Sequence, residues 1–270
     1  MTDVGGELTR AGPLVGARED PIVFDVGGVP VHGVQVRDVL ALVKTWQAEP
    51  AARMRWMSST NLHSIAQAHA APAFSAALHS ADLSLPDGVP LLWVGRRRGL
   101  PLRRRCGIEE VMLALMGESE SSGPHFFYGN TKDVLRELEA ALLRRFPRVQ
   151  IAGMYSPPFR PLTKHELEAD LDMIRKAKPQ FLWVSLGCPK QELWLHAHAA
   201  ELPGVIAGGA GAVFDFLAGN KPKAPELVQN SGLEWLLRLA TEPRRLWRRY
   251  LVLYPRVILS ISARYLRRGR

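Results

Sequence analysis

From His125 to Gly209 short β-rich runs alternate with amphipathic stretches, and this alternation limits the possible folds more than any other feature of the chain. HFFYG reads as a strand, Asn130-Thr131 as a cap, and 133–145 as an amphipathic helix closed by Pro147. VQIAGMY is the next strand, SPPFRPL an extended loop, and Thr163 with Glu166 forms a capping box for a helix reaching about Lys176. FLWVSLG then gives a strand, 190–200 a helix and VIAGG another strand. Strands and helices joined by short connections predict right-handed βαβ units, hence an α/β fold whose mainly parallel sheet is covered by helices on both faces. Ligands on such sheets sit beyond the carboxyl ends of the strands. Three loops therefore matter: 128–130, 187–191 and 208–211.

Upstream, PIVFDV and VPVHGV flank Gly27-Gly28, the pattern of a β-hairpin with a primed turn. Apolar residues at helical spacing follow over 36–46, and RWMSS is a short strand leading into Thr60-Asn61. Residues 62–78 read as helical with an interruption at Pro72. Pro86-Asp87-Gly88 is a loop signal, and RRRGLPLRRR a basic turn ending at Cys106-Gly107. Beyond Pro225 the texture becomes helical again, with Thr241 as a cap and Pro243 in a first turn. The expected division is a flexible N-terminal tail over 1–20, an α/β core over 21–225 and a C-terminal appendage over 226–270.

With 270 residues and 47% apolar content, the chain can bury one large α/β core with a small appendage. Cys106 and Cys188 stand outside any CxxC or CxxH spacing, so they read as reduced thiols of a cytosolic protein. No apolar run reaches the ~18 residues of a spanning helix, and 1–20 lack the core of a secretory signal. The net charge of +9 is local: from 238 to 270 ten arginines face one acid, Glu242, which accounts for the whole excess. These arginines interleave with Trp247, Tyr250, Leu251, Leu253, Tyr254, Val257 and Ile258, a mixture suited to an anionic membrane surface. A nucleic-acid-binding face is the alternative, since arginines bind phosphates of any origin.

Asp87 is placed on a tight loop at a strand end, where a carboxylate can serve as a general base; an Asx turn explains the same residues. Thr60 and Asn61 are pocket residues or merely an N-cap. Gly208, Gly209 and Gly211 permit close approach of a ligand, but without a full GxGxxG. Lys190 and Gln191 open a helix after Gly187, where backbone N–H groups favour anions. Asp170 and Asp172 fall two apart on a helix and point to different sides, as do His196 and His198, so no metal site is expected. Trp183, Trp194, Trp235 and Trp247 read as core or interface. Arg238, Arg245 and Arg248 fall within about 80° of one another on a continuous helix, and either face solvent or grip a diphosphate.

Taken in order, STNLHSIAQA, ADLSLPDGVPLLW, FFYGNT, LWVSLGCPKQELW, GGAGAVFDFLAG and GLEWLLRLATEPRRLWRRY resemble the WecG/TagA/CpsF family (glycosyltransferase family 26) from about Val29 to Tyr250. The resemblance implies a Rossmann-like core with a C-terminal appendage that completes the active site on the membrane. It implies an inverting, metal-independent enzyme without a cofactor, peripheral on the cytoplasmic face of the cell membrane. The donor would be a UDP-sugar carrying N-acetylmannosamine, its uronic acid or glucose, and the acceptor a polyprenyl-diphosphate-linked saccharide of surface polysaccharide synthesis. No nucleic-acid partner is implied, and a homo-oligomer is left open. Carried onto matching positions, Asp87 is the base, Thr60, Asn61 and Gln191 line the pocket, and Arg238, Arg245 and Arg248 close over it. Gly88, Tyr128, Gly129, Gly187, Lys190, Gly209 and Gly211 complete the expected substrate-binding set. Two departures bear on sugar specificity: Lys223-Ala224-Pro225 stands where the family commonly has Arg-Ala-Pro, and Glu109 of Gly107-Ile108-Glu109 where an Asp is common. The rival readings are a nucleotide-dependent oxidoreductase and a non-catalytic membrane or nucleic-acid adaptor.

Overall fold

A computed structural model describes residues 21–118, 123–221, 236, 239, 243–259 and 261. The expected tail over 1–20 lies outside them. Strands β1 (Val23–Val26) and β2 (Val29–His32) form the antiparallel hairpin, and the positive φ of both Gly27 (67°) and Gly28 (90°) is what a primed turn requires. The main sheet holds β3 (Arg55–Thr60), β4 (Leu83–Pro86), β5 (His125–Gly129), β6 (Ile151–Tyr155), β7 (Phe181–Ser185) and β8 (Ile206–Gly209). Its order is β4-β3-β8-β7-β5-β6, and every pairing is parallel.

Strands β4, β5, β7 and β8 are buried along their whole length, as a parallel sheet covered on both faces demands. Alternation sorts their side chains. Phe127, Phe181, Trp183 and Ile206 enter one core layer, with helices α1 (Val36–Ala48), α5 (Ile108–Gly117) and α6 (Lys132–Arg145). Phe126, Tyr128, Leu182, Val184 and Ala207 enter the other, beneath α7 (Lys164–Ala177) and α8 (Lys190–Ala197). Local signals set the helix starts. Thr131 Oγ1 accepts from Val134 N at 3.2 Å, and Thr163 with Glu166 forms the expected capping box of α7.

The interruption at Pro72 is a complete break: α2 (Leu62–Ala70) ends at Ala71, and α3 (Pro72–Ser80) starts with the proline, whose missing N–H is harmless there. Three helices were not expected from the sequence, the short one over Val213–Leu217 among them. Helix α4 (Val89–Arg97) begins directly after the Pro-Asp-Gly loop and takes in Arg96 and Arg97 of the supposed basic turn. Helix α5 is apolar around most of its circumference, so it shows little periodic contrast.

A third core joins the hairpin to α2, α3 and α4, and Val257 and Ile261 of the C-terminal segment pack into it. That segment comprises α10 (Pro243–Trp247), a π-helical turn (Arg248–Leu253) and a helical stretch over 254–259. The hairpin also covers the outer edge of the sheet. His32 Nδ1 accepts from Ser84 N of edge strand β4 at 3.0 Å, a role that needs the neutral ring which burial favours by lowering the His32 pKa. Between Ala212 and the described C-terminal residues lies the short helix α9 (Val213–Leu217). Among the described residues no helix is long and apolar enough to cross a membrane.

Candidate active site

The strand order brings the carboxyl ends of β4, β3, β8 and β7 side by side, and a cavity of about 510 Å³ opens there. Asn61 follows β3, Asp87 and Gly88 follow β4, Gly209 and Gly211 come from the end of β8, and Gly187 and Gln191 follow β7; all line it.

Asp87 is positioned by an extra rung of the parallel ladder. Thr60 pairs with Pro86, and Asp87 N donates to Thr60 O at 2.9 Å, so β3 holds the loop carboxylate at the sheet end. Facing it, Arg105 Nη1 lies 3.5 Å from Asp87 Oδ1, while Nη2 lies 2.9 Å from Glu110 Oε1. Glu110 in turn accepts from Gly107 N at 3.1 Å and caps α5. A Cβ on Gly107 would stand 2.9 Å from Asp87 Cγ and 3.0 Å from Glu110 Oε2. Only the missing side chain at 107 lets the two carboxylates and the guanidinium meet. With its side chain 23% accessible, Asp87 is fixed yet open to the cavity, as proton acceptance requires.

Gln191 is locked from both ends. Its Oε1 accepts from Gly211 N at 2.9 Å, and its Nε2 donates to Glu192 Oε1 at 3.0 Å, which fixes the amide orientation. A Cβ on Gly209 would approach Gln191 Nε2 to 2.7 Å. Gln191 and Glu192 are buried and both line the cavity. Burial raises the Glu192 pKa, and hydrogen bonds from Gln191, its own backbone and Cys188 oppose the shift.

Both readings of Asn61 hold together: its Oδ1 caps α2 by accepting from His63 N (2.9 Å) and Ser64 N (3.2 Å), and the residue lines the cavity. Thr60 does not line it. The side chain is fully buried against Ser58 Oγ at 3.0 Å, and its contribution is the carbonyl that holds Asp87. Tyr128 and Gly129 also lie elsewhere, contrary to expectation. Tyr128 donates to Asp170 Oδ2 at 2.7 Å and stacks on Trp194, and a Cβ on Gly129 would meet Ser185 O at 2.4 Å. The reason is strand order: β5 lies beyond β7, outside the four strands whose ends open on the cavity, and Tyr128 enters the core layer instead. Lys190 is exposed at the start of α8, outside the lining.

Asp170 and Asp172 diverge, Asp170 to Tyr128 and Asp172 to Arg175. His196 bonds Ser80 Oγ at 2.6 Å, and His198 meets the edge of Trp194. Trp183 is fully buried, Trp247 is exposed, and Trp235 lies outside the described residues. So do Arg238, the Arg245 side chain and Lys223-Ala224-Pro225. Arg248 is exposed with its guanidinium 5.4 Å from the Trp247 ring centre, away from the lining, and the C-terminal segment reaches the cavity through Tyr254. Sequence reasoning missed Arg105, Glu110, Glu192 and Tyr254. The usable signal was Gly107 three residues before Glu110, a helix start that sets Arg105 beside an acid.

The model of the family described as "Glycosyl transferase WecG/TagA/CpsF family" matches residues 24–270. Among curated proteins, the N-acetylglucosaminyldiphosphoundecaprenol N-acetyl-beta-D-mannosaminyltransferase of Bacillus spizizenii strain W23 is 35% identical over 191 residues, 70% of this chain and 72% of the relative. The proteins of the same name from Bacillus subtilis strain 168 and Staphylococcus aureus strain NCTC 8325 are 31% and 24% identical, over 68% and 86% of this chain and 70% and 89% of theirs.

Proposed function

Since the chain belongs to the WecG/TagA/CpsF family and is a glycosyltransferase, we propose that it moves N-acetylmannosamine from UDP to an N-acetylglucosamine carried on a polyprenyl diphosphate, in surface polysaccharide synthesis. The activity named for the relatives, transfer of N-acetylmannosamine to N-acetylglucosaminyldiphosphoundecaprenol, supports this donor sugar and acceptor. The observation that carries the mechanism is the Asp87 carboxylate, anchored by Thr60 O at the end of β4 and open to the cavity opposite Arg105. The acceptor hydroxyl attacks the anomeric carbon, Asp87 takes its proton, and the bond from that carbon to the UDP oxygen breaks. One displacement inverts the anomeric centre. Charge growing on the departing diphosphate is met by guanidinium groups of the C-terminal segment, in this reading those of Arg238, Arg245 and, once it swings in from its exposed place beside Trp247, Arg248, without a metal. The exposed Trp247, Leu251, Ile258 and Leu259, interspersed with arginines, support docking of the C-terminal segment on the cytoplasmic face of an anionic membrane.

The test is a panel of UDP-sugars offered with a short-chain lipid-diphosphate N-acetylglucosamine and read by mass spectrometry. UDP-N-acetylmannosamine extends the acceptor by one N-acetylhexosamine, and Asp87→Asn lowers kcat by about 100-fold or more with UDP affinity retained. Extension by another sugar alone, or full turnover by Asp87→Asn, refutes the corresponding part.

A further inference from the structure

A second depression adjoins the cavity. Between α4 and the chain after it runs a groove of about 300 Å³ walled by Leu92, Trp93, Arg96, Arg103, Arg104 and Arg105. It shares Arg105 and Val89 with the cavity, so the two meet at the side chain that faces Asp87. Residues 96–105 contain six arginines and no acid.

Side-chain contacts to its carbonyls and amides hold the backbone of this run. Arg96 Nε donates to Leu102 O at 2.6 Å and its Nη2 to Arg103 O at 2.8 Å. The Gln35 side chain clamps Arg104, accepting from its N at 3.1 Å and donating to its O at 2.8 Å. Arg103 and Arg104 remain exposed on this fixed frame. Guanidinium groups gathered along one groove give it the positive field that favours an anionic ligand.

We propose that this groove binds the diphosphate of the lipid-linked acceptor, with Arg103 and Arg104 gripping phosphate oxygens and Trp93 flanking the first isoprenyl units. The inference rests on the acceptor assigned above. In a glycosyl diphosphate the phosphate hangs from one side of the sugar and the attacking hydroxyl projects from another, so the diphosphate must lie one ring away from the base. A groove that starts at Arg105, beside Asp87, and leads out of the cavity meets this demand while leaving the cavity to the donor. Guanidinium forks match phosphate oxygens in pairs. Trp93, 58% exposed on the rim, offers an apolar face with a polar edge, the character of side chains at a membrane interface.

The experiment compares wild type with the double variants Arg103→Gln/Arg104→Gln and Arg103→Lys/Arg104→Lys, both in full-length protein. Four quantities are measured: acceptor KM and kcat, UDP affinity by calorimetry, affinity for geranyl diphosphate, which needs no transfer, and sedimentation with phosphatidylglycerol vesicles. The glutamine pair raises acceptor KM and weakens geranyl diphosphate binding by about 100-fold, or about ten-fold per lost charged contact, with kcat and UDP affinity unchanged. The lysine pair recovers part of the loss. Unchanged KM and geranyl diphosphate affinity overturn the proposal, as does a fall in UDP affinity, which would assign the groove to the donor. Loss of vesicle binding with KM intact also overturns it, in favour of a lipid headgroup. If wild type extends no acceptor with any donor yet binds geranyl diphosphate through these arginines, the proposed function fails and the diphosphate site stands.

Discussion

His125 should make this protein lose stability in mild acid by an amount that one substitution can isolate. It opens β5 without solvent exposure, stacks on Phe181 at 4.9 Å, and accepts from Trp183 Nε1 through Nδ1 at 3.0 Å. Burial lowers its pKa from 6.5 to about 4. In the unfolded chain the imidazole keeps its ordinary value, so as the pH falls the unfolded state takes up the proton first. The stabilisation is therefore complete above about pH 6.5 and drains away towards pH 4. At about 1.4 kcal/mol per pH unit of separation the whole window is worth roughly 3 kcal/mol, of which about 2 kcal/mol falls between pH 7 and pH 5. His125→Asn places an oxygen near the Nδ1 position to receive the Trp183 N–H, and it does not titrate. Urea unfolding of both proteins at pH 7 and pH 5 gives two losses. The wild-type loss should exceed the variant's by about 2 kcal/mol. Comparing losses cancels the cavity left by the smaller side chain and the contribution of His32, which both proteins share. Equal losses would refute the reasoning.

Gly129→Ala sets a Cβ 2.4 Å from Ser185 O at a φ of +114°, and should lower stability by about 3 kcal/mol or more, visible as a depressed Tm, without touching the cavity. Burial pushes the Cys106 thiol up, whereas Cys188 lines the cavity; a thiol reagent should label one cysteine quickly in the native protein, UDP should slow it, and Cys188→Ser should abolish the fast phase. Glu192→Gln keeps an oxygen for Gln191 Nε2 and removes a carboxyl whose pKa is raised by burial. Because the folded protein binds that proton more tightly than the unfolded chain, wild-type stability falls as the pH rises through the raised pKa, and the variant's Tm advantage should be larger at pH 8 than at pH 5.

Family membership favours the transferase over the oxidoreductase and the adaptor, and the missing GxGxxG already counted against the first of these. The candidate site was legible in part. Asp87, Asn61, Gly187, Gln191, Gly209 and Gly211 sit on loops after strands, and a parallel sheet delivers such loops to one edge. Tyr128 and Gly129 satisfy the same rule and still miss the cavity, because the rule names an edge and not a place along it. Arg105 looked like one arginine among many in RRRGLPLRRR until α5 and Glu110 gave it a fixed direction.

What the sequence determined by itself are contacts between near neighbours in the chain. The Gly27-Gly28 turn, the break before Pro72, the Thr163–Glu166 box and the alternation of strand and helix after His125 depend on spacings of a few residues, which local sterics and hydrogen bonding decide. Tertiary structure alone decided that β8 slots between β3 and β7, since the place of each strand follows from how the buried faces of distant segments fill two core layers. That placement joins Gly211 to Gln191 and leaves Tyr128 as a pillar of the core.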